Sequence, residues 1–350
     1  MDTDPTPARV TLRDIARELG VSHVTVSLAL RDHPRISKAM TTRVKQTAAR
    51  LGYRPDPMLT ALSHYRRGRR ANPITASIAW INAWPKPEQL RSFREFDAYW
   101  RGARTAATKF GYRLEEFRLG GPVHAGRLHE ILSARSIRGI LLPPQQAVPD
   151  WSGFPWDEYF VVRFGRSLST PRCHVVTADQ VANTMIAFEA MRRRGYRRIG
   201  YLTDELDLRQ QGHLFEAGYL VAQRMEAGTA VLPMFCVNEH ETGHRKRAFA
   251  DWLGTHRPDA ILTPVPFGGQ MLAEAGLKVP QDIGLAVTSI LDAGADAGID
   301  QHPEEIGRVG FLTLNSVIND GGRGVPGIFR QILVEGTWVD GTSLPERTHR

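Results

Sequence analysis

Apolar residues recur at helical spacing along the N-terminal stretch of the chain. Leu12, Ile15, Ala16 and Leu19 fall at i, i+3, i+4 and i+7, which is one stripe on a short helix. Thr11 precedes that stripe as a cap, and Asp14 stands at the third helical position, from which it can reach back. Gly20 ends the helix, because glycine accepts the left-handed conformation of a tight exit. Ser22 predicts the cap of a second helix, with Val26, Ala29 and Leu30 facing inward and His23, Val24, Ser27 and Leu28 outward. A third helix begins after Ser37 and buries Val44, Thr47, Ala48 and Leu51. Two short helices around a glycine turn, braced by a third, predict a helix-turn-helix.

The pattern then changes twice. Tyr53-Arg54-Pro55-Asp56-Pro57 reads as an extended joint, followed by a helix over residues 58–65 that is too short to persist alone in water. The arginines of residues 66–70 break it. From residue 74 onward, short apolar runs alternate with helical stretches. Strands are expected at 74–81, 114–117, Gly139–Leu142, Phe160–Phe164, 199–202, Phe235–Val237, 260–262 and Gly284–Val287. Helices are expected at 93–110, Ala125–Ala134, from a cap at Asp179 to Arg194, 215–226, 245–253 and 304–318. Repeated strand–helix units argue for parallel sheets covered on both faces, and a ligand would sit in a cleft at the strand ends.

Charge sharpens this division. The chain carries 45 Lys/Arg against 37 Asp/Glu, a net charge of +8, and residues 1–70 alone hold 14 against 6. All of the excess therefore sits on the segment that reads as a helix-turn-helix, where it can neutralise phosphates. Cys173 and Cys236 lie far apart and give no metal or redox spacing. The N-terminus is polar and proline-rich, and no stretch approaches the roughly 18 apolar residues of a membrane span. The expected location is cytoplasmic, without a membrane partner.

The segments Val10-Thr11-Leu12-Arg13-Asp14-Ile15-Ala16, Gly20-Val21-Ser22, Thr25-Val26-Ser27 and Leu51-Gly52-Tyr53-Arg54-Pro55 together resemble the DNA-binding headpiece of the lactose-repressor/galactose-repressor (LacI/GalR) family. That resemblance implies a fold class: an all-α helix-turn-helix headpiece joined to an α/β, two-lobed, periplasmic-binding-protein-like (type I) core. The expected divisions are 1–57 for the headpiece, 58–72 for a hinge helix and basic linker, and 73–345 for the ligand-binding and dimerisation core. It implies a homodimer on a pseudo-palindromic double-stranded operator, most simply as a repressor, with affinity set by a small effector of which a sugar is one candidate. His23 and Val24 fall where such proteins choose bases: His23 can exchange a hydrogen bond, and Val24 can meet a thymine methyl. Thr11, Leu12, Ser22, Thr25, Ser27, Leu28 and Tyr53 complete the implied DNA-contacting set, with Arg31 and Arg35 on the phosphate backbone. Leu28 departs from the arginine of many relatives. Met58 and Leu59 would pair between two hinges, and Leu62 would wedge into the minor groove.

In the core the resemblance is thinner. Gly218-Tyr219 fits the glycine–aromatic pair that follows an arginine in many relatives, but Leu214, Phe215 and Glu216 stand upstream, which leaves Arg209 as the substitute. Asp292 falls where relatives hold a sugar hydroxyl, and Phe267 replaces a polar residue at the same cleft. Two motifs read as decoys. His240-Glu241-Thr242-Gly243-His244 has zincin spacing but carries a glycine within what should be a helix. Gly322-Arg323-Gly324-Val325-Pro326-Gly327 has dinucleotide spacing but follows a helical pattern and contains a proline. Asp204-Glu205-Leu206-Asp207 follows a strand and could face the cleft, but reads more simply as a solvated acidic loop. No nucleophile–base pair or phosphate loop appears, so neither catalysis, a cofactor nor a metal is expected. Two rival readings are a ligand-independent DNA binder with a degenerate pocket, and a sugar- or nucleotide-processing enzyme fused to a headpiece.

Overall fold

The computed structural model describes residues 11–30, 36–51, 53, 76–225, 231–238 and 245–347. They form two compact units, one made of the N-terminal helices and one of two sheets with their helices.

The first unit contains α1 (Leu12–Leu19), α2 (His23–Leu30) and α3 (Lys38–Arg50). Its core is Ile15, Val26, Ala29 and Val44, all fully buried, with Ala16 and Ala48 nearly so. Full burial of an Ile or Val side chain contributes about 1.5–3 kcal/mol, so three such residues dominate the stability of so small a unit. Leu30 and Leu51, expected inside, are half-buried at its margin. Gly20 takes φ 66°, and Val21 N–H donates to Ala16 O at 3.0 Å, so the left-handed exit closes α1 before α2 begins. Ser37 Oγ accepts from Met40 N–H at 3.3 Å and starts α3.

The second unit begins with β1 (Ala76–Asn82), α4 (Pro87–Leu90), α5 (Arg94–Lys109), β2 (Tyr112–Arg118), α6 (Ala125–Ala134), β3 (Gly139–Leu142), β4 (Phe160–Phe164) and β5 (His174–Ala178). It continues with α7 (Gln180–Arg193), β6 (Ile199–Asp204), α8 (Glu205–Gln211), α9 (Leu214–Met225), β7 (Phe235–Val237), α10 (Arg245–His256), β8 (Ala260–Thr263), α11 (Gly268–Glu274), β9 (Gly284–Val287) and β10 (Gly298–Asp300). It closes with α12 (Pro303–Asp320), β11 (Gln331–Val334) and β12 (Thr337–Val339). The first lobe's sheet has the order β11-β5-β4-β3-β1-β2 and is parallel throughout. The second runs β12-β10-β9-β8-β6-β7, parallel except where β12 pairs antiparallel with β10. The chain passes between lobes three times, after β5, after β10 and after β11. Parallel sheets bury both faces, and β3, β4, β5, β8 and β9 are buried at every position.

Several expectations need correction. β5, β10, α8 and α11 were not foreseen. The acidic stretch of residues 204–207 is the start of α8, not a loop: Asp204 Oδ1 accepts from Asp207 N–H at 2.6 Å and caps the helix. The glycine-rich residues 322–327 follow α12 and open no helix, as expected. The zincin-like residues 240–244 lie outside the described residues, as does the expected hinge of residues 58–72.

Candidate nucleic-acid interface and the cleft between the lobes

In the first unit, α1 is fixed at its start by Asp14, whose Oδ2 accepts from Thr11 N–H at 2.9 Å and from the Thr11 hydroxyl at 2.7 Å. Those two bonds, followed by the nearby Arg17, hold the Asp14 carboxyl below its ordinary pKa. Ser22 Oγ accepts from Thr25 N–H at 3.0 Å and lies 2.9 Å from Thr25 Oγ1, which caps α2. With the cap in place, the burial of Val26 and Ala29 sets the rotation of the helix. Ser22, His23 and Val24 are turned to solvent, Val24 with 53% exposure. Thr25, Ser27 and Leu28 are half-buried beside them. Leu12 and Tyr53 are also half-buried and pack against the headpiece core, and Tyr53 N–H donates to Ala48 O at 2.9 Å. Arg31, Arg35, Met58, Leu59 and Leu62 lie outside the described residues. A helix that exposes a ring nitrogen pair and a branched apolar group in succession can read a base edge and a methyl together.

In the second unit, segments that follow strands of the two sheets bond to each other between the lobes. Asp292, on the second lobe after β9, accepts from Arg94 N–H and Glu95 N–H, both at 3.0 Å. It therefore caps α5, on the other lobe, where free N–H groups and the helix dipole both favour a carboxylate. Arg94 Nη1 donates to Leu291 O at 2.7 Å beside it. Glu95 is packed between the lobes, accepting from Tyr99 Oη at 2.8 Å and Ser289 Oγ at 3.0 Å. Burial pushes the Glu95 carboxyl up, the two hydroxyls oppose this, and Asp292 adds to it. Gln210 Nε2 makes a longer bridge to Gln146 O at 3.4 Å.

The first lobe's cleft end is closely satisfied. Asn82 Nδ2 donates to Pro87 O at 2.8 Å and Glu116 Oε1 at 2.7 Å, while its Oδ1 accepts from Trp84 N–H. Gln145 ties Ala83 N–H to Ile81 O and Pro143 O. On the second lobe, Arg209 is exposed on α8 and Phe267 is half-buried at the start of α11, packed on an apolar cluster. The three expected ligand residues thus stand apart in role: Asp292 bridges the lobes, Phe267 packs, and Arg209 reaches solvent. Gly218-Tyr219 serves packing. A Cβ on Gly218 would meet Val181 O at 2.7 Å across α7, and buried Tyr219 donates to Ile199 O at 3.0 Å.

Sequence reasoning missed Glu95 and Ser289, and took Asp207 for a solvated residue. Burial, aided by Asp204 and opposed by Thr203, pushes the Asp207 carboxyl up to about 7. Its only sequence signal was its place just after an apolar run. Among the described residues, no helix is long and apolar enough to cross a membrane.

Comparison with known proteins fits this geometry. The family "Bacterial regulatory proteins, lacI family" matches residues 11–56, and "Periplasmic binding protein-like domain" matches residues 188–344. The HTH-type transcriptional repressor CytR of Escherichia coli strain K12 is 24% identical over 327 residues, covering 87% of this chain and 88% of that protein. Among solved structures, a transcriptional regulator CelR–cellobiose complex superposes with a TM-score of 0.58 at 19% identity, covering 96% of this chain and 100% of that one. The lac repressor dimer bound to operator and the anti-inducer ONPF gives 0.50 at 16% identity, covering 96% and 99%. These structures share the fold. Helix-turn-helix and two-lobed core are found here in the same order: a lacI-family helix-turn-helix is matched over residues 11–56, ahead of a periplasmic-binding-protein-like domain matched over residues 188–344.

Proposed function

We propose that the protein is a sequence-specific repressor that acts as a homodimer on a pseudo-palindromic operator in the cytoplasm, with affinity set by a small ligand between the core lobes. The observation that carries the DNA-reading half is the outward presentation of His23 and Val24 on a helix whose rotation is fixed by Val26, Ala29 and the Ser22 cap. In this reading His23 and Val24 choose bases, and Thr11, Leu12, Ser22, Thr25, Ser27, Leu28 and Tyr53 position the backbone. Residues 58–72 act as the hinge, with Met58 and Leu59 pairing between protomers and Leu62 entering the minor groove. Ligand binding changes the relation of the lobes and thereby the pairing of two hinges, so one event in the cleft biases a two-state assembly.

Selection from randomised duplexes with the full-length protein tests the assignment. Val24→Ala and His23→Ala should each relax preference at one position of the half-site by about 1–3 kcal/mol, with other positions unchanged. An unaltered selected sequence in both variants rejects these residues as base readers.

A second reading, a ligand-independent DNA binder, is favoured by one observation. Asp292 already uses both carboxylate oxygens on α5, so a ligand held there must displace a helix cap.

A further inference from the structure

Not every polar group near the carboxyl end of the first lobe's sheet is satisfied, and Arg163 departs furthest. This residue is the penultimate position of β4, on the face shared with Val161, where register places it beside Leu142 of β3 and Val175 of β5. Gln331 of β11 pairs with Val175 and so continues the same row. Apolar Leu168 and Cys173 belong to the cluster on this face. Arg163 is only 8% exposed, and its Nε and Nη1 are buried with no hydrogen-bond partner. A guanidinium cannot shed its proton, and a buried charge without a counter-charge is strongly unfavourable.

The neighbourhood deepens the mismatch. Arg166, at the exit of the same strand, donates Nη2 to Gln331 Oε1 at 2.8 Å, but its buried Nε is likewise unpartnered. Arg172 is held with its guanidinium over the Phe329 ring at 4.5 Å. Arg166 and Arg172 add positive charge to the surroundings of Arg163, whereas Asp179 offsets the charge of Arg166. Burial pushes the Cys173 thiol up to about 12, so it is neutral and supplies no negative charge. Two residues further along the face, Thr177 Oγ1 accepts from Gln180 Nε2 at 3.1 Å, and Gln180 Oε1 is buried without a partner. β5 and β11 are also the strands from which the chain crosses to the second lobe.

We infer that Arg163 and Arg166 form a binding site for a small oxyanion, a phosphoryl or carboxylate group of the effector, at the end of the sheet from which the chain crosses between lobes. The guanidinium fork matches the oxygens of either group in a way that a neutral sugar does not. Gln180 Oε1 would accept from a hydroxyl of the same ligand. The inference rests on the reading of the core as a ligand-binding module, and it is independent of whether His23 and Val24 read bases.

The test is a thermal melt and calorimetric titration of the full-length protein at constant ionic strength, replacing sodium chloride with sodium phosphate. Wild type should show a saturable rise of about 2–5 °C, as a ligand specific to the folded state requires. Arg163→Met should lower phosphate affinity at least tenfold while melting no lower than wild type without phosphate. Parallel arms with glycerol phosphate and sodium acetate separate phosphoryl from carboxylate recognition. An identical wild-type melt in phosphate, glycerol phosphate, acetate and chloride overturns the site, as does an undiminished phosphate titration by Arg163→Met. The wild-type arm decides by itself should that variant not fold. Failure here would leave base preference on operator DNA untouched, and loss of base preference would leave this titration untouched.

Discussion

On α2, His23 and Val24 stand in solvent, and among the described residues His23 has no hydrogen bond. Across the cleft of the core, Asp292, Glu95, Asn82 and Gln145 bond to other parts of the chain. The two regions handle polar groups in opposite ways. A surface that meets a large partner can leave its reading groups hydrated, because water satisfies them until DNA replaces it. Polar groups packed between two lobes have less water to meet, so they bond to each other or cost stability. The consequence is that the headpiece shows its contacts openly, while the core hides its own behind internal bonds.

The sharpest way to break the comparison is Val26→Asp. It places a charge in a core built around a handful of side chains, at a cost of several kcal/mol. The headpiece should unfold, and binding to any duplex should fall more than about 100-fold. The main calorimetric melt of the lobes should stay within about 1 °C, because mutations in separate units act independently. A matching fall in the core melt would show that the two units do not stand apart energetically.

Asp292→Ala probes the other side. It strips two acceptor oxygens from the start of α5, worth about 1–2 kcal/mol as a cap, and should lower the core melt by about 3–6 °C. Binding to non-specific DNA should remain within twofold. An unchanged melt would mean that the lobe bridge contributes nothing.

Asp207→Asn gives the smallest effect and is read through pH. The folded pKa of Asp207 is raised from 3.8 to about 7 by burial and Asp204. The native state therefore holds the proton better than the unfolded chain. The stability this contributes is whole below 3.8 and is lost as pH rises through about 7. Wild type should lose more melting temperature between pH 5 and pH 8 than Asp207→Asn. At pH 8 the variant should melt about 2–4 °C higher. Parallel pH curves would show that Asp207 titrates normally.

Legibility followed the same divide. Helical stripes, the Ser22 and Ser37 caps and Gly20 are local signals, so α1 to α3 could be placed from residue types alone. Strands β3, β4, β7 and β9 were likewise marked by apolar runs with clear ends. His174–Ala178 was missed because its short apolar run is interrupted by polar His174 and Thr177 and shows no alternation, so only the cap at Asp179 marked its end. Gly298–Asp300 has only three residues, with a glycine first, and takes its structure from β9 and β12. The cleft was hardest. Asp292 was singled out only by resemblance, as a ligand residue; its partners lie 198 and 197 positions away, and no local pattern encodes that. The burial of Arg163 depends in the same way on strands drawn from both ends of the core.

The triple passage of the chain between lobes also sets an order of events during synthesis. All three headpiece helices are complete by residue 50, whereas the first lobe lacks α12 until residue 320 and β11 until residue 334. The second lobe waits for β12, which ends at residue 339. On a ribosome adding about 5–20 residues per second, the headpiece can emerge and close while neither sheet has its full set of strands. While the core is being made, the protein is a finished helix-turn-helix trailing two unfinished sheets, which complete almost together at residues 334 and 339.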